Sequence, residues 1–292
     1  MVVSAINSFG QVDPLYAQYL NNPILINPAY TGINNNFSSA ISYRKQWAGF
    51  DGSPTTINFN TQISLANNKM GLGLIVLKDV IGVDANTETY ATYSYKIYTL
   101  NGVISLGLQG GFINYKSNNG DLNAYDPSDP AFNSDLNITK PNFGSGIIFR
   151  SDRMFLGVSM PRMMKVQSEI DGILTSLYSQ HFYANAAYVF FLSKRVRFKP
   201  SVLVKGVKGS PLSLDYNLFF NLDEKYTAGV FARNLNTFGL LVQMKLGDTF
   251  QLGYSFSVPT NKSVGMAYPT HELCLSMSLD VLQFHEKSLN SF

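Results

Sequence analysis

Charge is scarce in this chain of 292 residues: Asp, Glu, Lys and Arg together make up 14%, against roughly 25% in soluble domains. A surface that is hydrated all round is therefore not the expectation. Long apolar runs are missing too. No stretch approaches the about 20 consecutive apolar residues that a membrane-crossing helix needs, which excludes a helical membrane protein. The single cysteine, Cys274, excludes an internal disulfide and any metal site built from several thiolates. An exported chain so poor in cysteine has to be closed by hydrogen bonds. The net charge of +3 is too small to nominate a nucleic acid as partner. Tryptophan occurs once, but 17 tyrosines and 21 phenylalanines supply material for aromatic girdles at two membrane interfaces.

What the chain does have is alternation. Ile57, Phe59, Thr61, Ile63 and Leu65 alternate with Thr56, Asn58, Asn60, Gln62 and Ser64. Leu212 to Leu222 repeats the pattern against Ser213, Asp215, Asn217 and Asn221, and Phe250 to Val258 against Gln251, Gly253, Ser255 and Ser257. A period of two with one apolar and one polar face predicts strands set between lipid and a polar lumen. Weaker copies fall at 37–47, 70–80, 87–98, 102–117, 142–151, 153–160, 181–192, 196–207, 225–234, 237–246 and 270–282. The expected fold is all-β: a transmembrane antiparallel up-and-down β-barrel of about 14 strands, in the outer membrane of a Gram-negative cell. No internal sequence repeat supports a propeller.

Connection lengths test the strand count independently. If the first strand runs outward, every second connection is a periplasmic turn and should be short. The turns at 66–69, 99–101, 151–153, 193–195, 223–225 and 247–248 are all short, and every long loop (49–54, 118–141, 161–180, 259–269) falls in the other set. The start, 1–10, reads as the end of a secretory signal, with Ser8 and Gly10 as the small residues before cleavage. No basic stretch precedes it, so the true start is expected upstream. No cysteine stands at the cleavage point, which argues against a lipoprotein. Residues 11–36 carry Asp13-Pro14, Asn22-Pro23 and Asn27-Pro28 among Leu15, Tyr16, Tyr19, Leu20, Ile24, Leu25 and Ile26. That run is too apolar for a free tail and too broken by proline for a strand. It is expected to tuck against the periplasmic mouth or into the lumen as a plug. The barrel is expected to span 37–284, with a tail at 285–292.

Several motifs resemble one family. They are Gln11-Val-Asp-Pro-Leu-Tyr-Ala-Gln-Tyr19, Ile26-Asn-Pro-Ala-Tyr-Thr-Gly32, Arg44-Lys-Gln-Trp-Ala-Gly-Phe-Asp-Gly-Ser-Pro54 and Pro141-Asn-Phe-Gly-Ser-Gly-Ile147. The run from Lys199 to Asp215 and the pair His271-Glu272 complete the set. On these residues the chain resembles the PorP/SprF family of type IX secretion system membrane proteins over nearly its whole length. The tail after the last strand departs from the family pattern. The resemblance implies an outer-membrane barrel that works with other type IX secretion components in gliding and related bacteria. It also implies binding, export or surface anchoring of particular cargo proteins, including large adhesins.

Strand parity places Arg44, Lys96, Lys116, Arg150, Arg197, Lys199, Lys205, Arg233 and Lys245 on the lumen face, opposed by Glu88, Asp215 and Glu272. A basic lumen attracts an acidic polypeptide or anions; equally, such charges simply solvate a filled interior. Trp47, Phe50 and Asp51 sit at the outward end of the first strand, either as a ledge for cargo or as a girdle residue followed by a Gly-rich turn. The candidate partner-binding residues are thus Arg44, Trp47, Phe50, Asp51, Arg197, Lys199, Lys205 and Asp215. Cargo is expected in the outer half, with 11–36 closing the lower half. His181, His271 and Asp215 lie at similar height, but no Ser–His or metal-ligand spacing accompanies them. No enzyme activity, cofactor, metal or nucleic-acid partner is expected. The alternative function is a passive porin or small-solute transporter.

Overall fold

The structure is a computed structural model; it describes Ala17, Tyr19, residues 22–118, Gly120 and residues 135–170, 173–178, 180–207, 210–260 and 268–280. The expected signal remnant at 1–10 and the tail at 285–292 lie outside the described residues, as do parts of 11–36 and of the loops 118–141 and 259–269.

Alternation becomes strand wherever it was legible. In chain order the strands are β1 Phe37–Lys45, β2 Thr55–Leu65, β3 Met70–Ile81, β4 Asp84–Thr99, β5 Gly102–Ser117, β6 Leu136–Arg150 and β7 Met154–Arg162. Two short strands follow, β8 Val166–Ile170 and β9 Ile173–Tyr178, then β10 His181–Tyr188, β11 Phe190–Phe191 and β12 Val196–Val207. The last five are β13 Ser213–Leu222, β14 Tyr226–Arg233, β15 Thr237–Leu246, β16 Phe250–Pro259 and β17 Thr270–Leu279.

Each barrel strand pairs antiparallel with its sequence neighbour, β1 closes on β17 in register from Phe37↔Leu279 to Lys45↔His271, and β10 bridges β7 and β12. β8 and β9 pair only with each other, and β11 resumes the line of β10 after a break at Val189. The result is a closed antiparallel barrel of fourteen strands, the fold expected from the alternation. No described helix is long and apolar enough to cross a membrane; the crossing is made by strands.

The faces are inverted relative to a soluble sheet. In β2, Asn58 and Asn60 are 1% and 2% exposed while Ile57 and Phe59 are 43% and 41% exposed. Buried here means facing the lumen, and the exposed apolar ring faces lipid. Among the strand connections, those at the end where β1 starts are short, and both the 46–54 loop and the β8–β9 hairpin lie at the other end. Outer-membrane barrels keep short turns on the periplasmic side, so these are termed the periplasmic and outer ends.

Two stretches read as loop from the sequence are partly strand. β6 begins at Leu136 rather than 142, β7 runs on through Arg162, and β8 and β9 form a hairpin within 161–180. Pro141 and Pro161 suggested loop, yet Pro141 sits in the ladder opposite Phe112, and Pro161 lies within β7 at the irregularity between the pairs Tyr183↔Ser159 and His181↔Arg162.

Candidate functional site

Residues 22–36 lie within the barrel. Two one-turn 3-10 helices, Pro23–Leu25 and Pro28–Tyr30, each start at a proline, whose fixed φ and missing N–H suit a first helical position. Asn27 caps the second: its side chain accepts the Ala29 N–H at 2.9 Å and its amide donates to the carbonyls of Ile147 and Val158. The wall reaches in to meet the backbone. Ser105 donates to Ala29 O at 2.7 Å, Ser94 to Thr31 O at 2.6 Å and Ser159 to Ile26 O at 2.6 Å. Lys96 donates to the carbonyl of Gly32.

Glycines make this contact close enough. A Cβ on Gly107 would stand 2.1 Å from Ala29 N, one on Gly71 2.2 Å from Thr31 O, and one on Gly146 2.1 Å from Asn27 Oδ1. Gly32 itself has a φ of +58° and would place a Cβ 2.8 Å from Ile63 O, so a side chain there is excluded twice over. Inside the polar lumen the segment also builds two apolar clusters. Ile24, Ala29 and Tyr30 pack with Ile75, Tyr90, Ile113 and Ile148; Tyr19 and Ile26 pack with Leu77, Tyr183 and Leu203. The run, termed the septum below, is fixed to the wall by hydrogen bonds, glycine contacts and a small core.

The septum separates two unlike spaces. Toward the outer end the lumen is lined by buried, paired charge. Arg162 grips Glu88 with bonds of 2.9 and 2.7 Å, Arg233 grips Asp215, Thr56 donates to Asp79 at 2.5 Å, and Glu272 accepts the Ala17 N–H at 2.8 Å. Toward the periplasm lies a vestibule of about 830 Å³, lined among others by Tyr30, Asn34, Arg150, Asn185 and Lys199, with an adjoining space of about 350 Å³.

The candidate residues distribute over three places. Trp47, Phe50 and Asp51 lie in the outer loop. Trp47 has a φ of +51°, Phe50 stands edge-on to Tyr268 at 5.7 Å, and Asp51 is exposed. Arg44, Lys205 and Asp215 are buried in the outer half of the lumen; Arg44 donates to Gln46 at 2.8 Å and Asp215 is held by Arg233. Arg197 and Lys199 belong to the periplasmic half, where Arg197 bonds Glu224. Lys199 and Lys205 are six positions apart on one strand and do not share a site.

Lys116 departs from its expected placing. In β5 the lumen parity is that of Ser105, Gln109, Ile113 and Ser117, so Lys116 points outward and is exposed. The histidines part company as well: His181 is buried toward the lumen, while His271 sits on the outward parity against Phe256 and contacts the Tyr254 hydroxyl at 2.7 Å. Neither forms a dyad with Asp215, and among the described residues no group of three or more His, Cys, Asp or Glu could hold a metal ion. Sequence reasoning missed Arg162 and Asp79. Arg162 fell in a stretch taken for loop, and Asp79 followed Lys78 at the end of an apolar run.

On the periplasmic rim, Arg195 and Asp223 form an exposed bidentate pair at 2.6 Å. The hydrogen bond from Arg195 holds the Asp223 carboxyl below its usual range.

Comparison with known proteins bears on the whole barrel. A family profile described as "Type IX secretion system membrane protein PorP/SprF" matches residues 8–277. No curated protein sequence matches at a significant level. Among solved structures, the Pseudomonas putida toluene transporter TodX is similar with a TM-score of 0.52 and 8% identity, over 89% of this chain and 93% of that one. A Pseudomonas aeruginosa FadL homologue gives 0.50 and 11%, over 87% and 92%. At such identities the likeness is one of fold: a barrel of the outer-membrane kind.

Proposed function

Because the chain belongs to the PorP/SprF family of type IX secretion system membrane proteins, we propose that it docks an exported cargo protein at the outer membrane, together with other components of that system, and does not conduct solutes. The observation that carries this reading is the septum. Passive flow needs an open bore, and a closed barrel of this strand number supplies one only if its interior is clear. Here the bore is crossed by the chain itself, with its backbone bonded to Ser94, Ser105 and Ser159 and pressed against Gly71 and Gly107, and with the Asn27 side chain against Gly146. Docking then falls to the outer rim, where Trp47, Phe50 and Asp51 offer an aromatic and acidic ledge, with Arg44, Lys205 and Asp215 behind it. An adhesin-like cargo suits such a rim.

Deleting the protein from its cell is expected to abolish surface display of one or a few cargo proteins while general outer-membrane export continues. Normal display of every cargo in the deletion strain would overturn the reading. A second function, small-solute passage, draws on the fold shared with a toluene transporter and a FadL homologue. Planar-bilayer recording of the purified chain separates the two: closed traces are expected, and a steady large conductance would favour the transporter.

A further inference from the structure

Charged side chains inside this barrel are paired as a rule. Arg162 holds Glu88, Arg233 holds Asp215, and at the periplasmic rim Arg195 holds Asp223 and Arg197 holds Glu224. The vestibule departs from that rule. Arg150 and Lys199 face one space of about 830 Å³, and Lys199 also borders the adjoining one. Among the described residues Lys199 has no hydrogen-bond or ion-pair partner, and Arg150 donates only to the uncharged Asn34 Oδ1, at 2.9 Å. Lys96 is satisfied by Gly32 O, Ser64 and Asn68, all neutral. Glu224 borders the adjoining space but is engaged by Arg197; Asp152, exposed on the rim turn, lines both spaces and is bonded to neither Arg150 nor Lys199. Arg150 and Lys199 facing one space, with no carboxylate bonded to either, are an arrangement that an incoming anion stabilises.

The rest of the lining narrows the ligand. Asn34, Asn35, Asn68 and Asn185 present amides that both donate and accept, as a peptide backbone requires. Beside them the stacked rings of Tyr30 and Phe155, 4.9 Å apart, give an apolar surface. The volume falls in the range of sites that enclose small ligands. Access is from the periplasm, past Asn68, Asp152 and Arg153 of the rim turns that line the space.

The geometry points to this vestibule as a binding site for the acidic end of a polypeptide segment entering from the periplasm, its carboxylate held between Arg150 and Lys199. The site is at the opposite end of the barrel from the proposed cargo ledge and stands or falls independently of it.

The test is titration of the full chain in detergent with a labelled peptide, Gly-Ser-Gly-Phe-Glu-Glu, with its Gln-Gln amide counterpart, and with citrate. Saturable binding of the acidic peptide is expected, with none of the amide. Binding should weaken with salt, fall about tenfold or more in Lys199→Gln and in Arg150→Gln, and persist in Lys199→Arg and Lys116→Gln. Heat-modifiable gel mobility reports whether each variant is a closed barrel. A thiol introduced by Ala187→Cys in the vestibule wall gives a readout with both cations intact: the acidic peptide should slow its modification by a cationic thiol reagent. Binding of citrate without the peptide would reassign the site to small organic anions and overturn the peptide. Undiminished binding in both glutamine variants, unslowed modification, or no binding of either acid would overturn the site.

Discussion

Asn217 and Leu218 are neighbours that face different media. Leu218 is 46% exposed on the lipid side, whereas Asn217 is buried and donates to the Tyr19 hydroxyl at 2.7 Å. Leu218→Arg puts a charge in hydrocarbon at a cost of about 2–4 kcal/mol. Thr227→Arg, on the lumen parity and beside the vestibule, is expected to be far milder. Equal folding efficiency of the two variants in lipid vesicles would contradict the assignment of faces. Parity alone would have offered Asn217→Arg as the mild partner. The structure removes it from that role, because the Asn217 amide holds Tyr19 and an arginine there would unseat part of the septum. Which face a residue takes was legible from its neighbours in sequence. Its partner, 198 positions away, was not.

At the scale of elements, the strands were legible because two media impose a strict period of two over many residues. The exceptions have a common cause. Pro141 and Pro161 carry no N–H and read as loop, yet each lies within a strand, which hid the start of β6 and the end of β7 and with it Arg162. The septum left a weaker trace: glycines on lumen positions of β3, β5 and β6, Gly71, Gly107 and Gly146, whose meaning appears only once residues 27–31 lie against them. Gly107→Ala is the sharp test. Its methyl would fall 2.1 Å from Ala29 N and 2.3 Å from the Pro28 carbonyl carbon, so the Pro28–Tyr30 turn must move. The barrel should still insert, and single-channel recordings should show openings that the native chain lacks. Silent traces from a folded Gly107→Ala variant would mean that the septum tolerates displacement without opening a path.

For the whole molecule, the division of short and long connections assigns the ends to the two sides of the membrane. With Cys274 buried, a single introduced thiol reports on side. Asp51→Cys should react with an impermeant reagent on intact cells and Asn67→Cys should not; labelling of the second and not the first would reverse the orientation. The seam between β1 and β17 carries a different kind of consequence. Asn36 bonds Ser278 across 242 positions of chain at 2.5 Å, so the ring joins its first strand to its last. Contacts of such separation form late and slowly. Meanwhile the septum, synthesised before any strand, takes its hydrogen bonds from β4, β5 and β7. The growing sheet is therefore expected to curl around its own leading segment before the seam shuts: wall around the segment first, closure last.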